Sequence, residues 1–278
     1  MKNTVLSLIF LVGAFASAQV QTPQPSPTAQ LSQTVGLTEV TVKYSRPSKK
    51  GRDIFGALVP FGEIWRTGAN QNTIISFSDA VTIADQEIAA GDYAIYTRPG
   101  KATWEIFVYS ETTNWGNPAE WDVAKVAATI EVAAVDTDNI ESFEIWISKL
   151  HNNGATLNIG WSTTMVSVPF GVPTVAKATA SIQEAMKNDP KDRDYYNAAV
   201  YYLQEGQDLN QAKEWIAKAV AANDKAYWYL RQQSLILAGL KDVDGAIAAA
   251  KSSLELATKA GNTDYITLNE ASIAEWSK

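Results

Sequence analysis

The chain has 278 residues, 46% of them hydrophobic, with nine Trp and eleven Tyr and a net charge of −7 at neutral pH. With no Cys, it excludes disulfides, thiolate nucleophiles and thiolate-held metals, and its single His leaves any His-based triad or zinc centre to His151 alone. The acidic balance speaks against nucleic acid, whose phosphates ask for a basic patch, and the length fits about two domains.

Residues 1–18 read as a signal peptide. Lys2 supplies the positive start, Val5 to Phe15 the apolar run and Ala16-Ser17-Ala18 the cleavage site, so a cut before Gln19 is expected. No Cys follows to carry a lipid anchor, and no later apolar run is long enough to span a bilayer. The expectation is an exported protein, periplasmic or secreted. Residues 19–30 carry Pro23, Pro25 and Pro27 in a polar background and read as a disordered leader.

Residues 31–170 carry short β-like runs. Glu39–Tyr44 and Thr73–Ser78 alternate with period two, and Val81–Ile83, Glu87-Ile88 and Tyr93–Thr97 follow between turns. Trp104–Tyr109 sets Trp, Ile and Val against Glu, Phe and Tyr, a pattern for a strand covered on both faces. Val126–Val132, Phe143–Ser148, Ala155–Trp161 and Met165–Val168 complete the set. Such a series, with no intervening helix, predicts an all-β antiparallel sandwich, jelly-roll-like. Residues 46–72 and 110–125 lack strand character, and long loops on a rigid sandwich are where ligand sites sit.

From Thr174 to Lys278 the chain turns Ala-rich and helical, and it repeats. Ala178, Ala212 and Ala246 lie 34 residues apart, as do Asp208 and Asp242. That is tetratricopeptide spacing. It divides the segment into a half repeat (174–188), two full repeats (193–225 and 227–259) and a terminal helix (263–276). Val200 and Ser234 stand where such repeats carry Gly, and the closing Pro is missing from both full repeats.

The chemistry-bearing residues gather in the loops. His151 lies in His151-Asn-Asn-Gly154, a hairpin turn between strands, where a polar role outweighs a catalytic one. Nothing in the spacing of acids, glycines or the His asks for a metal or a cofactor. Arg46, Arg52, Lys49 and Lys50 follow a strand, and either form a solvated basic loop or hold an anion through the planar Arg fork. Trp65-Arg66-Thr67-Gly68-Ala69-Asn70 fits neither helix nor strand. In one reading it is a buried corner, with Trp65 in the core and Arg66 paired to Glu141. In the other it lines a cleft, with Trp65 as stacking floor and Arg66 and Asn70 as donors. Trp115 and Trp121, on the second long loop, either stack on sugar or anchor the loop.

The motifs Tyr44-Ser-Arg-Pro47, Gly51-Arg52, Trp65–Asn70, Ala90-Gly-Asp-Tyr93, Asn114-Trp-Gly116 and Glu141-Ser-Phe143 fall in an order that resembles the domain of unknown function 2911 family. The resemblance covers about residues 27–169 and implies an exported protein of the Bacteroidetes type, with no activity attached. Asp122-Val-Ala-Lys-Val126 departs from it, with Lys125 where an Arg is expected. Function is expected to be non-catalytic: a β-domain that binds a glycan or acidic group through Arg46, Arg52, Trp65, Arg66, Asn70, Trp115 and Glu141, and a helical tail that docks a protein or peptide. Two alternatives stand beside it. One is a carbohydrate-active hydrolase drawing on Glu63, Glu105, Asp122 and Glu141. The other is a scaffold whose interactions all lie on the helical repeats.

Overall fold

A computed structural model describes residues 22–278, so the signal peptide expected at 1–18 lies outside the described residues. The chain divides between Val172 and Pro173 into two compact units.

The first unit is built from ten strands: β1 (Thr28–Val35), β2 (Thr38–Ser45), β3 (Thr73–Phe77), β4 (Val81–Ile83), β5 (Gln86–Ile88), β6 (Gly91–Pro99), β7 (Thr103–Tyr109), β8 (Val126–Ala133), β9 (Val135–His151) and β10 (Gly154–Gly171). They form two sheets in the orders β1-β2-β3-β6-β7-β8 and β5-β4-β10-β9. Every pairing is antiparallel, as the hairpin-like spacing of the runs requires. Alternate residues of both sheets fill one core, including Val40, Val42, Ile75, Trp104, Ile106, Phe143, Ile159 and Trp161. The architecture is a sandwich without a closed barrel.

The double-sided pattern of β7 is realised. Trp104, Ile106 and Val108 enter the main core, while Phe107 and Tyr109 join Ala94 and Tyr96 in a second cluster under Trp121 of the long loop. Trp121 lies against the rings of Tyr96, Phe107 and Tyr109, so it anchors that loop.

Three expectations shift. Thr28–Gln30 belong to β1, so the expected leader already pairs as strand at its end, and β1 itself has its apolar alternation (Ala29, Leu31, Val35) interrupted by Gln33. Its exposed face is polar and it sits at the sheet edge, where little burial is needed. Ala155–Trp161 and Met165–Val168 are one strand, β10, and register shifts around Ser162 break the periodicity inside it. The β9–β10 turn is centred on Asn152-Asn153, since His151 and Gly154 are already paired.

The second unit holds six helices: α1 (Thr174–Lys187), α2 (Asp192–Gln204), α3 (Leu209–Ala222), α4 (Tyr227–Gly239), α5 (Val243–Ala260) and α6 (Thr263–Trp276). Asp208, Asp242 and Asn262 cap α3, α5 and α6 by accepting backbone N–H bonds, and Gly261 ends α5 in the left-handed conformation that favours glycine. α2 packs on α3, α4 on α5 and α5 on α6. Ala212 and Ala246, offset by the 34-residue period, are fully buried, which is why small residues recur there: a larger one would hold neighbouring helices apart. Among the described residues no helix is long and apolar enough to cross a membrane.

Candidate ligand-binding site

The corner at residues 61–70 is fixed by its own backbone. Trp65 bridges Thr97 of β6, with Trp65 N donating to Thr97 O (2.7 Å) and Thr97 N to Trp65 O (2.9 Å). Its indole Nε1 donates to Gly68 O at 3.1 Å, closing a tight loop. Inside that loop Thr67, a β-branched residue, sits at φ +55°. Such a conformation is costly, and buried bonds hold it: Thr67 Oγ1 meets Trp65 O and Thr97 Oγ1, and Thr73 Oγ1 donates to Thr67 O. Gly68, at φ +142°, passes so close to β2 that an added Cβ would lie 3.1 Å from Ser45 O.

Trp65 is 8% exposed, in edge contact with Phe55, Trp104 and Phe143 and parallel to Trp161. It is a core residue, with only an edge left for a cavity. The flanking motifs zip onto this corner. Tyr44 OH donates to Ile145 O (3.2 Å) and accepts from Ile145 N (3.1 Å). Arg46 Nε donates to Phe143 O (3.0 Å), and its Nη2 lies 3.4 Å from Glu144. Asn70 Nδ2 donates to Ser26 O (3.3 Å) and Ser45 Oγ (3.4 Å).

The expected Arg66–Glu141 pair does not form. Glu141 is exposed and serves the 47–52 loop: its Oε1 accepts from Lys50 N (2.8 Å) and its carbonyl from Lys49 N (2.7 Å) and Trp161 Nε1 (3.2 Å). Arg66 is half-buried beside Gly116 and Tyr96. Among the described residues its guanidinium donates no hydrogen bond and meets no carboxylate, and its Nε is buried without a partner. Burial holds its pKa below the ordinary value, with the Tyr96 phenol acting the other way.

Two cavities flank the corner. The first, of about 360 Å³, is lined by Lys50, Arg52, Arg66, Trp65, Trp161 and Leu58 among others, and no acid lines it. Arg52 is braced by its own turn, Nε to Lys49 O (2.9 Å) and Nη2 to Ser48 O (2.6 Å), which leaves its Nη1 without a partner among the described residues. The second cavity, of about 220 Å³, is lined by Asn70, Gln71, Asn72, Lys43 and Trp115. Ser26 belongs to both.

The sequence-derived set is therefore divided. Arg52, Trp65 and Arg66 meet in the first cavity and Asn70 and Trp115 in the second, while Arg46 and Glu141 line neither. Lys50, named with the basic loop, lines the first cavity as well, whereas Trp161 and Ser26 were missed, because they come from a distant strand and the supposed leader. Of the hydrolase candidates, Glu105 pairs with Arg98 at 2.6 Å and Asp122 caps the 3-10 turn Val123–Lys125, and none of Glu63, Glu105, Asp122 and Glu141 lines these two cavities. Among the described residues no group of three or more acids or His gathers to hold a metal.

A family profile described as "Protein of unknown function (DUF2911)" matches residues 26–170. No curated protein matches the chain. The matched segment spans every strand but the last residue of β10, together with all residues lining the two cavities except Gln24 and Pro25, and takes in more than half of the chain: the protein belongs to the domain of unknown function 2911 family.

Proposed function

We propose that the β-sandwich unit binds a small carboxylate-bearing ligand in the cavity lined by Lys50, Arg52 and Arg66, without catalysing its conversion. The observation that carries this reading is Arg66. A desolvated cation with no counter-charge is unfavourable unless something else pairs with it. Here that cation lines a cavity in which every charged group is basic, on a chain whose net charge is −7. Trp65, Trp161 and Leu58 supply an apolar wall for the body of the ligand, the usual division of labour in a small-molecule site. The protein acts outside the cytoplasm, as the signal-like start suggests, and its helices dock a protein or peptide, for which exposed Trp228 and Leu268 offer apolar contacts.

The test titrates the purified protein with glucuronate and with glucose, following tryptophan fluorescence. Glucuronate binds and glucose does not, salt weakens the binding, and Arg66→Gln lowers affinity at least tenfold. Equal affinity of Arg66→Gln and the parent for glucuronate would overturn the reading, and so would the absence of glucuronate binding.

A further inference from the structure

The second cavity has a different chemistry from the first. Its lining offers the amides of Asn70 and Gln71 and the hydroxyl of Ser26, with Lys43 as its only charged side chain, while the Asn72 amide is buried against Tyr96 OH. At about 220 Å³ it is smaller than the ~300–1,000 Å³ that drug-sized ligands occupy, so it has room for one ring. Asn70 spends its Nδ2 on Ser26 and Ser45, while its Oδ1 takes no hydrogen bond among the described residues and remains an acceptor for a hydroxyl.

Trp115 completes the site. It is 78% exposed, the most exposed large hydrophobic residue described, and no aromatic ring lies against it. Trp121, six residues on, already anchors the loop, so anchoring does not account for Trp115. An indole face held bare beside amides and hydroxyls is suited to the apolar face of a pyranose, whose equatorial hydroxyls then meet the amides.

The two cavities adjoin. Ser26 lines both, and Ala69 lines the first while Asn70 lines the second, so their walls pass from one to the other within a single Cα–Cα step of about 3.8 Å. Cavities that share a wall residue suit neighbouring rings of one ligand. We propose that the ligand is an oligosaccharide carrying a uronic acid: its carboxylate meets Lys50, Arg52 and Arg66, and the next sugar ring lies in the second cavity under Trp115. This rests on the carboxylate-binding reading above and extends it to a ligand class.

The test uses calorimetric titration with three acidic disaccharides (cellobiouronic acid, digalacturonate and a hyaluronan disaccharide) against glucuronate and galacturonate. At least one disaccharide binds ten or more times tighter than its own monouronate. Trp115→Ala removes that advantage and leaves monouronate affinity unchanged, Trp115→Phe keeps most of it, and Arg66→Gln weakens monouronate and disaccharide alike. Disaccharides no tighter than monouronates, or an advantage that survives Trp115→Ala, would overturn the second subsite while leaving the carboxylate pocket standing. Loss of monouronate binding in the parent protein would instead sink the reading on which it rests.

Discussion

Arg66→Met separates a binding residue from a structural one. The guanidinium is half-buried and its Nε has no partner, and an unsatisfied buried donor costs about 1–3 kcal/mol. Met fills a similar slot with a flexible apolar chain and removes that cost. The half-exposed guanidinium also gives up its contact with water, so the net change in stability is between zero and a gain of about 1.5 kcal/mol. For a cooperative unit of this size class, 1 kcal/mol moves Tm by about 2–4 °C, which places the variant between unchanged and about 5 °C above the parent. Scanning calorimetry on the intact protein measures it. In the same variant, stabilisation by glucuronate disappears, whereas at one hundred times its Kd the ligand adds about 2.7 kcal/mol to the parent. A Tm lowered by more than about 4 °C would show that Arg66 locks the corner rather than waiting for a ligand, and the argument from an unpaired cation would fail.

Other substitutions probe the frame around the site. Gly68→Ala places a Cβ 3.1 Å from Ser45 O at φ +142°, and should cost about 2 kcal/mol or more, seen as a Tm loss of about 4–8 °C. Trp121→Ala strips the loop of its contacts with Tyr96, Phe107 and Tyr109, costs about 3 kcal/mol and opens residues 110–125 to limited proteolysis, while Trp115→Ala changes stability by less than about 0.5 kcal/mol. Ala246→Leu forces a larger side chain between packed helices and costs about 1–3 kcal/mol or more, read by helical circular dichroism in urea. Burial raises the Tyr96 phenol above its ordinary value of 10.0. The folded state therefore holds that proton longer than the unfolded chain does, the associated stability is complete below about pH 10, and it is lost as pH rises further. Tyr96→Phe should flatten the alkaline fall in Tm, and an unchanged alkaline limb would refute the assignment.

Most of the fold was legible because its periodicities were strong. Residues such as Ile75 and Phe77 alternate with polar neighbours over a half-buried sheet, and the 34-residue recurrence of Ala212 and Ala246 marks helices in close approach. What escaped notice lay where burial is weak or register breaks. β1 carries Gln30, Ser32 and Thr34 outward at a sheet edge and places Gln33 among its inward residues, so its own strand signal is weak and pairing with β2 completes it. At the candidate site, side chains from the 46–72 and 110–125 loops do line two cavities, but with partners that the sequence did not indicate. Arg66 and Glu141 are opposite charges on two of the loop motifs, and sequence reasoning naturally joins them. The backbone of the 47–52 loop claims Glu141 first, through Lys50 N, and that is a long-range contact with no trace in local pattern.

The same claim bears on the carboxylate-binding site proposed above. Thr67 at positive φ and the approach of Gly68 to Ser45 store strain that only a rigid surround sustains. Trp65 supplies that surround by joining the aromatic core, and in doing so commits the chain at Arg66 to point where the core does not need it. Glu141, spent on the neighbouring loop, cannot neutralise the cation that results. The corner thus fixes the backbone at Arg66 and leaves the side chain's charge unanswered, so the carboxylate proposed above would meet a donor whose main-chain position was settled when the sandwich folded. Basic residues on an open loop would lose main-chain as well as side-chain freedom on each binding event; at Arg66 the Trp65 corner has already fixed the main chain, which favours a site selective by geometry over one attractive by charge alone.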